Sequence, residues 1–518
     1  MTSYPLGSDV RGAAEASGLL TKDDVILTNF TNDATYILEG IKSKELTAVQ
    51  VVTAFAKRAA LAHQHVNCLT DFFMDEAIER AKQLDEYYEK TGLLVGPLHG
   101  LPISAKDNQS IKGHYVSNGF LHQFRKYKED QHGHMLQILW DAGAVFYVKT
   151  NLPQSVMHLE THSFYGQTLN PYNTALTSGG SSGGCSALLA YGGSPLGLGN
   201  DIGGSLRSPA GATGLWTLKC TTSRLPSAGG VKMMPGADSV GSTQGPMCRS
   251  LRDLKLWFQV VMASKPWMRE YTIVSVPWDT SALIPAAPKV KIGVMWSDGV
   301  VTPQPPIHRA LKTLVAVLQE RSDVEIKDYT PYKHAEMDAL VHELYFVDGG
   351  KMVRDHAATS GEPLLPMTEW VLTRPQVKMH DIFQLWDMNM RRDTLRAEHL
   401  AHFNAQDVDF VLCPVGPGPA PAHHTAKYWG YTSSWNFLDY PAAVFPTGLK
   451  ADPQVDLDAE YAKAPALNEL DAYNRECYAK PEVFKNAPLC LQLVSRRNAD
   501  DQVLDVLEKI SECLPLAS

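Results

Sequence analysis

SGGSSGGCSALLAYGGSPLGLGNDIGGSLRSP, residues 178–209, holds ten glycines in 32 positions, where the whole-chain share of 38 in 518 would put two or three. Glycine weakens helices and strands alike, so this density needs a local reason. Either the backbone must take positive φ or it must approach another group closely. Hydroxyls stand between the glycines, notably Ser181, Ser182 and Ser205. Backbone N–H groups clustered beside hydroxyls are what a site for a developing oxyanion requires. A flexible Gly/Ser linker has a similar composition. Linkers, however, do not carry buried-type residues such as Ala187-Leu188-Leu189-Ala190-Tyr191, Leu196 and Leu198 between their flexible parts.

Outward from this stretch, strand and helix patterns alternate. Thr47 and Gln50 form a capping-box pair at the head of a helix over 47–63, whose apolar positions Val52, Phe55, Ala56 and Ala59 recur at helical spacing. A strand at 69–73 and a helix over 75–90 follow. The turns of 96–102 deliver the chain into the short apolar run Ile103-Ser104-Ala105-Lys106. A helix at 135–141 and a buried strand at 144–148 come next. Downstream, Ser250 and Asp253 open a helix over 254–262. Pro-rich turns at 277–288 lead to a strand at 290–295 and a helix at 308–320, and a more irregular region runs from 325 to 405. Strands at 411–414 and 489–494 and a helix at 501–513 close the chain. This alternation predicts an α/β sheet with substantial parallel character. Trp370, Met379, Trp386 and Met388 in the irregular region suit core packing, with the lining of a pocket as the alternative.

Apolar residues make up 44% and charged residues 20% of the chain, ordinary values for a globular protein. The net charge of −9 and the lack of a Lys/Arg-rich patch argue against a nucleic-acid or anionic-membrane partner. No apolar run approaches the ~18 residues a membrane span needs, and the N-terminus has no signal-peptide pattern. The eight cysteines are dispersed with no C-x-x-C pair, which suits reduced, mostly buried thiols. The cytoplasm is the expected location.

Several common motifs are absent or misplaced. There is no phosphate loop and no G-x-G-x-x-G after a strand. His158-Leu159-Glu160-Thr161-His162 would put two histidines on one helix face, but the order is not that of zinc ligands and no third ligand is evident, so no metal site is expected. Residues 179–183 satisfy G-x-S-x-G, which would make Ser181 a nucleophile at an elbow. That elbow requires a hydrophobic central strand directly before it, and Asn170-Pro171-Tyr172-Asn173-Thr174 cannot form one.

What remains is Lys106 with Ser181 and Ser205. The chain resembles the amidase signature family of serine hydrolases over nearly its full length. The matching stretches include GPLHGLPISAKDN (96–108), FYGQTLNPYNTALTSGGSSGG (164–184), SPLGLGNDIGGSLRSPAGATGL (194–215), WNFLDYPAAVFPTG (435–448) and APLCLQLVSRR (487–497). The separations, 75 positions from Lys106 to Ser181 and 24 from Ser181 to Ser205, also look like those of the family's eukaryotic members. The resemblance implies a large twisted mixed β-sheet surrounded by α-helices. It implies a single domain over 31–518 behind an N-terminal arm at 1–30, with the catalytic core at about 96–250 and a peripheral pocket region at about 325–440. It also implies that Ser205 attacks the amide carbonyl, that Ser181, after a cis Gly180–Ser181 bond, relays the proton, and that Lys106 is the base. The N–H groups of Ile202, Gly203, Gly204 and Ser205 would form the oxyanion hole, with Gly180, Ser182, Asp201 and Arg207 in support. An ordinary salt bridge is the alternative reading of Asp201 and Arg207.

The expected reaction is cofactor-free hydrolysis of a small-molecule amide to the acid plus ammonia or an amine, in the manner of fungal acetamidases and general amidases. An esterase or a specialised hydrolase of a natural-product or xenobiotic amide is the alternative on the same machinery, and a non-catalytic binding subunit is the rival from another class. A homodimer is compatible with the sequence. The chain departs from the family pattern at Thr217 and Cys220, at Cys185-Ser186 and at His162. These positions are expected to bear on the acyl pocket rather than on the chemistry.

Overall fold

Parallel pairing is confined to the two flanks of a single large sheet. The fold is seen in a computed structural model that describes residues 4–126, 128–276 and 289–516. Eleven described strands lie in the spatial order Leu69–Phe72, Val145–Thr150, Pro102–Lys106, Leu196–Asp201, Thr243–Cys248, Trp216–Lys219, Ala442–Lys450, Pro488–Val494, Phe410–Pro414, Val290–Val294 and Val324–Asp328. Pro102–Lys106 runs parallel to both of its neighbours, and so does Val290–Val294. The intervening pairs are antiparallel. The fold is thus the expected mixed sheet with helices around it. Both faces of its central strands are covered, so apolar residues dominate several of them; every residue of Val145–Thr150 is buried, Lys149 and Thr150 included.

Local signals placed most elements within a few residues. Thr47 caps Ala48–Val66 through a complete capping box, and the Ser250 side chain accepts from the Asp253 N–H at the head of Leu251–Ala263. The helix expected from 308 begins at Pro305, since proline in the first turn forfeits no hydrogen bond. The turns expected at 277–288 lie outside the described residues.

The region 325–405 is not irregular. After Val324–Asp328 it forms the helices His334–Tyr345, Lys351–Ser360, Pro366–Leu372 and Ile382–Ala405. The last of these buries only Met388, Leu395, His399 and Phe403, a narrow stripe among polar residues that leaves little helical periodicity to detect. Met388 packs in the core as expected, whereas Met379 and Trp386 are exposed.

The sheet positions the site through its register. Ala105 pairs with Leu198 in parallel, so Lys106 and the end of Leu196–Asp201 leave the sheet at the same edge. Asp201 pairs with Thr243, and Ala442 pairs with both Lys219 and Val494, so loops from five neighbouring strands gather along that edge. In open α/β sheets such carboxyl-end crevices are where ligands bind.

Candidate active site

Lys106 is the last residue of its strand and is fully buried. Its Nζ lies 2.6 Å from Ser181 Oγ and 2.7 Å from Asn200 Oδ1. Burial disfavours the ammonium form and outweighs the pull of Asp201, Cys185 and Asp107, so the lysine is pushed down to about 7. A buried amine hydrogen-bonded to a serine hydroxyl can accept its proton near neutral pH.

Ser181 follows a cis peptide bond from Gly180, as the family resemblance implied. A Cβ on Gly180 would come within 2.6 Å of the Glu160 backbone nitrogen and 2.7 Å of the His158 carbonyl oxygen, so only glycine lets the turn sit against that backbone. The helix Gly183–Tyr191 starts two residues later and is buried all round, which is why Ala187 to Tyr191 carry no polar face. The strand before the turn, Asn173–Thr177, belongs to a separate two-stranded sheet rather than to the central one. The architecture is therefore not that of a nucleophile elbow. The Ser182 N–H donates to the Ser205 carbonyl at 3.2 Å, which ties the two serine-bearing segments together.

The loop from Asp201 to Arg207 is held at every turn. Asp201 accepts from the N–H groups of Gly204 (2.8 Å), Leu206 (3.1 Å) and Arg207 (3.3 Å), and from the Arg207 guanidinium at 3.1 Å through both Nε and Nη2. Asn436 Nδ2 donates to the same carboxylate at 2.9 Å. Burial alone would raise the Asp201 carboxyl; Arg207, the next largest influence, reverses this and holds it well below the usual carboxylate range. Both side chains are fully buried, so the pair is no surface salt bridge.

Two hydroxyls from distant elements fix the peptide planes within the loop. Tyr345 donates to the Ile202 carbonyl at 2.5 Å, and Thr432 donates to the Gly203 carbonyl at 2.7 Å. In a trans peptide the N–H points opposite to the carbonyl. The Gly203 N–H is thereby aimed away from Tyr345, and with those of Ile202 and Ser205 it finds no acceptor among the described residues. The Gly204 N–H differs from the sequence expectation, since Asp201 occupies it. Gly204 itself sits at φ +128°, and a Cβ there would collide with Thr432 Oγ1.

Sequence reasoning brought together Lys106, Ser181, Ser182, Asp201, Ser205 and Arg207, and all of them converge here. It missed Asn200, Tyr345, Thr432 and Asn436. Asn436 falls within the family-like stretch 435–448, which was a usable signal. Tyr345 and Thr432 act through hydroxyls on helix faces, which no local pattern reports.

A cavity of about 950 Å³ opens beside the loop, with Asn108, Met157, Asn200 and Ile202 on its wall. Cys185, Thr217, Cys220 and His162 do not line it. Cys185 and Cys220 pack in the core, and Thr217 Oγ1 donates to the Pro246 carbonyl. His162 belongs to a two-residue strand in a segment that is not helical, so it shares no helix face with His158. Helix Ile382–Ala405 contributes Arg392, Arg396, Ala397 and Leu400 to the cavity, but Trp370, Met379, Trp386 and Met388 are not on its wall. No described helix is long and apolar enough to cross a membrane.

The amidase family profile matches residues 50–504. The chain is 45% identical over 500 residues to an amidase-like protein of Schizosaccharomyces pombe, covering 96% of this chain and 92% of that one. An acetamidase of Emericella nidulans is 36% identical over 524 residues, covering 99% and 94%. Among solved structures, a fatty acid amide hydrolase superposes with a TM-score of 0.93 at 36% identity, over 98% of this chain and 89% of that one. With its fold, its glycine-serine loops and these matches, the chain belongs to the amidase signature family of hydrolases.

Proposed function

We propose that the protein cleaves a carboxylic acid amide through an acyl-enzyme on Ser205, with Ser181 and Lys106 moving the protons. The observation that carries this reading is the fully buried Lys106 Nζ at 2.6 Å from Ser181 Oγ. Neutral Lys106 takes the Ser181 proton as Ser181 takes that of Ser205, whose Oγ then attacks the carbonyl carbon. The N–H groups of Ile202, Gly203 and Ser205 receive the developing oxyanion, and each such donor is worth about 3 kcal/mol at the transition state. Collapse expels the amine, which leaves with the proton returned through Ser181. Water then attacks the acyl-enzyme with the same groups acting in the same order, and releases the acid. Asp201 and Arg207 do no proton chemistry in this scheme; they hold the donors in place.

A fluorophosphonate probe followed by peptide mapping tests the assignment. The adduct is expected on Ser205, and Ser205→Ala is expected to lose both labelling and about 10⁴-fold or more of amide turnover. An adduct on Ser181 would overturn the assignment.

A further inference from the structure

The cavity is larger than a two-carbon amide requires. At about 950 Å³ it lies near the top of the ~300–1,000 Å³ range of pockets that enclose drug-sized ligands. Its course follows the loop edge of the sheet, from Asn200 and Ile202 at the end of Leu196–Asp201 to Arg496 and Arg497 just past Pro488–Val494. Those two strands are four neighbours apart in the sheet, a span of about 19 Å at ~4.8 Å per strand.

The two ends of this span differ in chemistry. At the oxyanion loop the wall is mixed, with Ile202 beside Asn200 and Asn108, and the cavity also carries Met157, Leu225 and Met233. The far end is cationic. Arg392, Arg396, Arg496 and Arg497 line the cavity there, together with the carboxylate of Asp439. Asp439 is already filled by the Thr222 N–H and hydroxyl and by Arg497 Nε. Asp393, behind the wall, is shared between Arg392 at 2.9 Å and Arg396 at 3.6 Å. Arg496 is committed elsewhere, stacked over Phe403 and donating to the Val408 carbonyl.

Arg396 and Arg497 are left with donors to spare. Arg396 gives its Nε to the Phe437 carbonyl at 2.6 Å, and Arg497 gives its Nε to Asp439 at 2.7 Å. The Nη2 of Arg396 and both Nη groups of Arg497 meet no acceptor among the described residues. Burial, and next the neighbouring charge of Arg392, push Arg396 down to about 10 against the opposing pull of Asp439 and Asp393.

We propose that this end of the cavity is an anion subsite, and that the substrate is an amide bearing a carboxylate at the far end of a mostly apolar spacer. A guanidinium fork matches a carboxylate in charge and geometry, and the Met157, Ile202, Leu225 and Met233 side chains on the wall give a methylene chain apolar surface to lie against. The subsite specifies the substrate class of the reaction proposed above and rests on that reading for its role.

The test compares monoamides of linear dicarboxylic acids, about four to twenty carbons long so that the series runs from well short of the ~19 Å span to beyond it, with simple amides of the same length. The wild type is expected to show a kcat/KM ratio favouring the carboxylate partner by about tenfold at the longer lengths, a difference of the size one charge-assisted hydrogen bond supplies. Arg396→Gln and Arg497→Gln are each expected to bring that ratio towards one. Because Arg396 also holds the Phe437 carbonyl, Arg497→Gln decides the matter if Arg396→Gln does not fold. A wild-type ratio at or below one at every length, or a ratio unmoved in the folded variants, would overturn the subsite. Equilibrium binding of free diacids and matched monoacids to Ser205→Ala separates the two readings. Tighter diacid binding without any amide turnover by the wild type keeps the subsite and sinks the reaction. Cleavage through Ser205 with equal binding of both acids keeps the reaction and sinks the subsite.

Discussion

The stretch 178–205 and the helices between 334 and 405 border the same crevice on opposite terms. In the first, residues 178 to 199 are all buried, and the chain folds so tightly on its neighbours that single added methyl groups would collide with backbone. In the second, helix Ile382–Ala405 commits four side chains to the core and leaves Phe383, Trp386 and Met390 in solvent. The first region fixes atoms; the second supplies a wall. Transition-state stabilisation requires donors held in place before the reaction begins, whereas a wall that selects substrates has only to present the right surface. The contrast assigns chemistry to the glycine-rich turns and selectivity to the helices. Tyr345 is where the two meet, donating from helix His334–Tyr345 to the Ile202 carbonyl.

Gly204→Ala strikes the rigid side hardest. It adds a side chain at φ +128° and drives it into Thr432, displacing the peptide that Asp201 and Thr432 hold. A fall in kcat of about 10²- to 10³-fold is expected, comparable to losing an oxyanion donor. Adding Thr432→Ala removes the Oγ1 clash but keeps the Thr432 Cβ, 2.8 Å from the new methyl, and forfeits the hydroxyl on the Gly203 carbonyl, so little recovery is expected. Wild-type kcat in the single variant would show the loop to be adjustable, and the contrast between the regions would fail.

A milder perturbation leaves the sequence intact. With Lys106 held at about 7, the proton-accepting neutral amine is the minor form below that pH and the major form above it. The kcat/KM of wild-type enzyme should therefore rise about tenfold from pH 6 to pH 8 and level off beyond. A profile already flat at pH 6 would mean that Lys106 is not the titrating base.

How much of this was legible in the sequence follows the same division. Gly180 and Gly204 announce themselves because a backbone in close contact, or at positive φ, excludes every other residue, so the requirement is written in residue type. The capping box at Thr47 and the N-cap at Ser250 are legible for the same reason: each is satisfied within a few residues. The helices at 334–405 were read as irregular because their burial is decided by partners far along the chain; Met388, Leu395, His399 and Phe403 form a stripe too thin to stand out among polar neighbours. The donors at Tyr345 and Thr432 were invisible on the same grounds, as was the engagement of the Gly204 N–H by Asp201, which depends on how one loop closes. Residue type revealed where backbone is forced, and long-range packing supplied the rest.

The smallest expected effect lies on the exposed face of Ile382–Ala405. Trp386 is 60% exposed, touches Phe383 edge-on at 5.6 Å between ring centres, and is not on the cavity wall. Trp386→Ala removes one exposed aromatic contact and no core packing, so stability should move by no more than about 0.5 kcal/mol. The kcat/KM for any amide should stay within about twofold, since neither the oxyanion donors nor the cavity wall is touched. Thermal unfolding and steady-state kinetics on the same preparation check both expectations. A large kinetic loss with unchanged stability would show that this face takes part in substrate capture, and would remove the distinction between a wall that selects and a surface that merely faces water.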